Sequence, residues 1–348
     1  MPPKPINLAL QGGGAHGAFT WGVIDALLED GRVVIEGVSG TSAGAMNAVV
    51  LADGMEVGGP EQARRSLHDF WLAVSEAARF SPIQRTPFDV LTGNWSLDHS
   101  PSYLFFDLVS RVVSPYATNP LDINPLRDLL ATRVDFNRVH RCASMKVFVS
   151  ATNVRTGRAR VFRETEVTPE AVMASACLPS LFRAVEIDGE AYWDGGYMGN
   201  PVLYPLIYEC GSRDIVIVQI NPLVRDGVPI TAQEINNRMN EITFNASLIA
   251  ELRAIDFVTR LLDEGSLDGT RYKRMLIHAI RGDEEMTTLT ASSKLNAEWS
   301  FLCLLRDIGR RAAQTWLTHH FDDLGRMSTI DVKRTLAQKA EMEEVEES

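Results

Sequence analysis

The sequence predicts an α/β fold: a three-layer α/β/α sandwich around a mainly parallel sheet, with a helical C-terminal extension. Three observations predict it. Residues 6–38 read as strand, glycine loop, helix and strand in quick succession, the unit from which parallel sheets are built. DIVIVQI at residues 214–220 is a nearly continuous apolar run, as expected of a strand covered on both faces. Between these, apolar strand-like stretches alternate with stretches of helical spacing.

Taken in order, residues 6–11 form the first strand, Gly12-Gly13-Gly14-Ala15-His16-Gly17 a loop, and residues 18–30 a helix with Phe19, Val23, Ile24, Leu27 and Leu28 at helical spacing. Gly31 closes it. A second strand over residues 33–38 runs into Gly40-Thr41-Ser42-Ala43-Gly44 and a helix over residues 45–52. A glycine-rich loop is expected at 53–60 and an amphipathic helix at 61–80. Residues 81–125 are proline-punctuated and irregular, and within them 101–113 is apolar nearly all round. If helical, that piece must be buried or face an apolar ligand; core packing is the first expectation, a lid or acyl-chain pocket the second.

Asn124 and Thr168, each followed by proline, read as N-caps of two helices, and residues 145–152 read as a central strand pairing with 157–163. Residues 185–193 suggest a hairpin turning at Asp188-Gly189, which delivers Asp194-Gly195-Gly196. Beyond residue 231 the character changes to long helices over 233–263 and 293–321, separated by a strand-like piece at 272–280. The division expected is a catalytic core over 1–225, a mostly helical region over 226–335 packed on it, and an acidic tail over 336–348.

Composition narrows the function. With 348 residues and 45% hydrophobic content the chain can bury a large core, and a net charge of −11 argues against a nucleic-acid partner. Cys142, Cys177, Cys210 and Cys303 show neither metal-ligand spacing nor a disulfide framework, so reduced thiols and no metal or cofactor are expected. The N-terminal apolar run is too short for a signal peptide and no stretch approaches the ~18 apolar residues of a membrane span. A cytoplasmic location is expected, with peripheral membrane contact through apolar insertion left open. Oligomeric state is not legible.

The chemistry lies in Gly40-x-Ser42-x-Gly44. Alone the pattern is weak, since a chain of this length holds about 0.1 such matches by chance. Its context between strand and helix is what a nucleophilic serine requires: a tight turn exposes the hydroxyl above the sheet, and the helix N-terminus favours negative charge on the reacting oxygen. The bland alternative is a structural turn. Gly12, Gly13 and Gly14 can aim several backbone N–H groups at one point on the same carboxyl edge of the sheet, as an oxyanion needs. A rival reading takes Gly12-x-Gly14-x-x-Gly17 as a dinucleotide fingerprint with Glu36 as the ribose-binding acid, and so an oxidoreductase. Against it stand the serine turn that follows at once and the unexplained Asp194.

In combination these features resemble the patatin-like phospholipase family. GGGAHG at residues 12–17, GTSAG at 40–44 and DGG at 194–196 occur in the family's order, ASACLPSLF at 174–182 resembles the segment leading to the aspartate, and ATNVRTGR at 151–158 resembles bacterial members. The likeness covers roughly residues 6–220. It implies a lipid acyl hydrolase with a Ser-Asp dyad: Ser42 the nucleophile, Asp194 its base, backbone N–H groups of Gly12, Gly13 and Gly14 the oxyanion hole, and Gly17, Gly40, Gly44, Gly195 and Gly196 supporting the motifs. The implied partner is a lipid or acyl-ester substrate, phospholipase A-like or lysophospholipase-like, and a catalytically silent lipid-binding regulator is the non-enzymatic alternative. His16 departs from the family's usual Arg or Lys; an imidazole of ordinary pKa is largely neutral above about pH 6.5, so a structural role is expected of it. His278, His319 and His320 follow Asp194 in the chain and are the alternative bases.

Overall fold

The computed structural model describes residues 2–225 and 227–333. The acidic tail expected over 336–348 lies outside them. Among the described residues, eight strands form one sheet: β1 (Lys4–Leu10), β2 (Val33–Gly40), β3 (Lys146–Asn153), β4 (Ala159–Arg163), β5 (Val185–Ile187), β6 (Glu190–Asp194), β7 (Asp214–Gln219) and β8 (Leu276–Arg281). Their order is β5-β6-β3-β2-β1-β7-β8, with β4 also on β3. The pairs β1/β2, β1/β7, β2/β3 and β7/β8 are parallel, and β3/β4, β3/β6 and β5/β6 are antiparallel.

Alternation along the central strands builds the three layers. Ile6, Leu8 and Leu10 of β1 and Val216 and Val218 of β7 face one core, while Ala9, Ile215 and Ile217 face the other. The first core is roofed by helix α1 (Gly17–Asp30), the start of α2 (Ala43–Ala78) and the helix Trp299–His320; the second by Leu248, Leu252 and Ile255 of the helix Ala232–Asp263. Helix α1 lies between the sheet and Trp299–His320, so it is buried on nearly every side.

The chain leaves β1 for β2 and β3 on one side and returns to β7 and β8 on the other. The carboxyl ends of β1 and β7 therefore flank a switch point, where open α/β sheets bind ligands. Gln11, just past β1, closes it: its side-chain oxygen accepts the N–H groups of Ile220 (2.9 Å) and Asn221 (2.8 Å), just past β7.

Several expectations need correction. The loop over 53–60 is mostly helix: α2 continues through it and kinks only at Gly58 and Gly59, where the backbone leaves helical geometry ahead of Pro60. The last long helix begins at Trp299 instead of 293, because residues 291–295 form a 3₁₀ turn. Most consequential is Pro101–Val112. It is a helix, capped by Ser100, but it buries no residue: Phe105 is 69% exposed, Leu108 61% and Val112 78%. Core packing is therefore wrong for this element. Trp95 instead packs inward, stacked on Phe301 (5.2 Å between ring centroids) and under the Arg85 guanidinium (4.0 Å).

Candidate active site

Ser42 lies two residues past β2, at the N-cap of α2, with φ 54 and ψ −122, a backbone conformation unfavourable for a residue with a side chain. The surrounding contacts enforce it. Gly44 N–H donates to the Thr41 carbonyl (2.8 Å), and Ser42 N–H donates to Ser175 Oγ (2.8 Å). A Cβ on Gly44 would collide with the Leu10 carbonyl, and one on Gly12 would fall 2.8 Å from Ser42 Cβ. The elbow and the glycine loop are thus pressed together, and each close approach requires glycine.

Asp194 ends β6, beside Ala151 of β3, and is 3% exposed. Its N–H donates to the Cys177 carbonyl (2.7 Å), its carbonyl accepts from Thr152 Oγ1 (2.8 Å), and its carboxylate accepts the N–H of Gly196 (2.7 Å). These bonds aim the carboxylate at the elbow. Burial pushes its pKa up to about 7, against the opposing effects of the Gly196 N–H, the Ser42 hydroxyl and the charge of Lys294. A carboxylate whose pKa lies near neutrality is a far better proton acceptor than one near 4.

The glycine loop is held from two sides. Gly12 N–H donates to Asn200 Oδ1 (2.6 Å) and the Gly12 carbonyl accepts from Asn221 Nδ2 (2.9 Å), while Gln11 Nε2 reaches the Asn200 carbonyl and Asn245 Oδ1. The N–H of Gly12 is therefore spent within the protein. Among the described residues, those of Gly13 and Gly14 take no protein acceptor. Gly17 begins α1 against Ala43, where a Cβ would lie 2.6 Å from that of Ala43, and Gly195 with Gly196 forms the turn after Asp194. His16 is buried with Nε2 2.8 Å from Ser293 Oγ; burial, then Lys294 and Arg225, hold its pKa well below the usual value, so it is neutral.

A profile of the family described as patatin-like phospholipase matches residues 8–207, more than half of the 348-residue chain. The chain belongs to the patatin-like phospholipase family. Uncharacterized NTE family proteins of Mycobacterium tuberculosis and Mycobacterium bovis are each 32% identical to it over 109 residues, 29% of this chain and 18% of theirs. The chain thus matches less than a fifth of the length of these relatives. Among solved structures, VipD from Legionella pneumophila is similar with a TM-score of 0.42 and 17% identity, over 92% of this chain and 67% of that one. ExoU in its heterodimeric complex with SpcU, from Pseudomonas aeruginosa, is similar with a TM-score of 0.33 and 19% identity, over 96% and 66%.

In this member of the patatin-like phospholipase family, the features that favoured a dinucleotide are otherwise engaged. Glu36 accepts the N–H groups of Gly211 and Ser212 ahead of β7, at the amino edge of the sheet and away from the glycine loop. The alternative bases are also elsewhere. His278 lies within β8, bonded to Asp214 (2.9 Å) and Thr329, and His319 and His320 bond to the Thr315 carbonyl and to Asp323. Sequence reasoning missed Ser175, Asn200, Asn221 and Lys294. Ser175 lay inside a recognised segment; the others are single polar residues without a pattern, and Asn221 and Lys294 fall beyond the matched residues.

Proposed function

We propose that the protein hydrolyses fatty-acyl esters of lipids, as a phospholipase A or lysophospholipase, through a Ser42–Asp194 dyad. The observation that carries this reading is a strained serine turn facing a buried carboxylate whose pKa is raised to about 7. Asp194 accepts the Ser42 proton as Oγ attacks the ester carbonyl. The N–H groups of Gly13 and Gly14 receive the oxyanion, while Gly12, its own N–H taken by Asn200, contributes packing against Ser42. Collapse returns the proton to the leaving alcohol and leaves an acyl-Ser42 ester. Asp194 then takes a proton from water as its oxygen attacks that ester, and collapse returns the proton from Asp194 to Ser42 Oγ as the fatty acid leaves.

The direct test is labelling with a fluorophosphonate, followed by peptide mapping, beside a lipid-ester panel. The expected adduct is on Ser42, with turnover of the same preparation. A labelled protein that turns over no ester would be a lipid-binding relative, and an adduct elsewhere would overturn the dyad.

We further propose that the protein is cytoplasmic and meets the membrane peripherally. No helix among the described residues is long and apolar enough to cross a membrane. The exposed apolar helix Pro101–Val112, with Leu91 86% exposed nearby in sequence, supports contact with a lipid surface. Phe105→Ser with Leu108→Ser is expected to lower hydrolysis of phosphatidylcholine vesicles by about 10-fold or more, each side chain losing roughly 1 kcal/mol or more of apolar insertion. Turnover of a water-soluble short-chain ester should change less than about 2-fold, because neither residue belongs to the dyad or its loop. Equal losses on both substrates would sink the proposal.

A further inference from the structure

The glycine loop rests on a turn from far along the chain. Residues 291–295 lie beneath Gly14–His16: a Cβ on Gly14 would collide with the Lys294 carbonyl, and Ser293 Oγ meets His16 Nε2. Ser293 Oγ donates its only proton to the Thr290 carbonyl (2.7 Å), so in the bond to His16 it accepts, and the neutral imidazole carries its proton on Nε2. His16 therefore brings no charge to the loop.

Lys294 does. Its ammonium donates to Asn221 Oδ1 (2.7 Å), and the amide nitrogen of the same Asn221 donates to the Gly12 carbonyl (2.9 Å). The peptide unit is planar and trans, so holding the Gly12 carbonyl on one side turns the Gly13 N–H to the other. The charged and titratable groups facing Lys294 are Glu241, Arg225, Asp194 and the neutral His16. Glu241 is already bridged by Arg225 (2.7 Å) and Arg238 (3.2 Å). Asp194 has no ion pair of its own among the described residues, and its charge and that of Lys294 act on each other.

We infer that Lys294 is a positioning residue of this site: anchored through Asn221 to the Gly12 carbonyl, its ammonium holds the Gly12–Gly13 peptide in its working orientation, with the Gly13 N–H turned to the oxyanion. The inference rests on the dyad reading above. Burial, reinforced by Arg225 and opposed by Glu241 and Asp194, lowers the ammonium to about pH 8, so the charge is present at neutrality and lost in mild alkali.

The experiment is the pH dependence of kcat/KM on a soluble p-nitrophenyl ester for wild type, Ser42→Ala, Lys294→Met and Lys294→Arg, with melting curves for each. Wild type is expected to rise through about pH 7 and fall above about pH 8. Lys294→Met should lose about 10-fold or more at pH 7, and its acid limb should move up as Asp194 loses one of the groups that favour its charged form. Lys294→Arg should keep most of the activity and lose the alkaline limb, since guanidinium stays charged. A lysine that serves only in packing would move neither limb. If Lys294→Met does not fold, Lys294→Arg decides alone, and an unmoved alkaline limb overturns the inference. Turnover by wild type that Ser42→Ala retains in full would instead overturn the dyad, which separates the two failures.

Discussion

Asp194→Asn is expected to lower kcat by about 10²–10⁴-fold and, in the same protein, to raise thermal stability at pH 8. The activity loss follows from removing the proton acceptor while an amide oxygen remains to receive the Gly196 N–H. The stability gain follows from the sign of the pKa shift. Burial raises the folded-state pKa from 3.8 to about 7, so the folded protein holds this proton more tightly than the unfolded chain does. The wild type accordingly loses stability as pH rises from about 4 to about 7 and loses no more from this group above that. Asparagine carries no such penalty, and its advantage grows through the same window to at most roughly 4 kcal/mol. Melting curves of both proteins at pH 5 and pH 8 read it: the difference should be larger at pH 8. Ser42→Ala should cost about 10⁴-fold or more in kcat with little change in stability, since alanine inherits the φ of 54. Ser42→Gly relieves that conformation and should gain about 1 kcal/mol. Wild-type kcat in Asp194→Asn would remove the aspartate from the mechanism.

What the sequence disclosed follows from the range over which each feature is determined. The unit from β1 to the Ser42 turn was legible because its determinants are local: apolar spacing sets the strands and α1, and glycines mark the two places where backbone passes close to backbone. The hairpin at Asp188-Gly189 was legible for the same reason, both residues adopting positive φ (51 and 78). The glycine loop's support was not. Ser293 lies 277 residues from His16 and Asn221 lies 209 from Gly12, and one polar residue carries no periodicity to announce such a partner. Residues 293–298 read as helix because their composition permits it. The chain instead turns there: Asn296 N–H donates to the Ser293 carbonyl (3.0 Å), its side-chain oxygen receives the Glu298 N–H (3.0 Å), and its amide nitrogen donates to the Trp95 carbonyl (3.0 Å). These two local bonds and the tertiary one to Trp95 delay the helix to Trp299 and present Lys294 to the loop. Pro101–Val112 failed differently. Its apolar circumference was read correctly, but the inference that apolar means core assumed that the covering surface lies within the same chain.

The second large effect is expected where no residue touches substrate. Helix α1 and Trp299–His320 cross with glycine on each side of the contact. A Cβ on Gly22 would collide with the Arg306 carbonyl, and one on Gly309 with the Phe19 carbonyl. Side chains therefore cannot separate the helices here; backbone packs on backbone, and Arg310 clips the crossing through Asp25, which also binds Arg64 of α2 (2.8 Å). Gly22→Ala and Gly309→Ala should each cost about 2–3 kcal/mol in urea unfolding, because the only relief is to move a helix outward. The double variant should cost less than the sum, since one displacement makes room for both methyl groups. The same displacement reaches the site. Trp299–His320 carries Phe301, which stacks on Trp95 and stands edge-on to His16 at 6.1 Å between ring centroids, and its N-terminal end follows directly on the turn that holds Lys294. Esterase activity in native conditions should therefore fall in both single variants even though Ser42 and Asp194 are untouched. A destabilised variant with full activity would mean that the outward displacement of the helix does not reach the glycine loop.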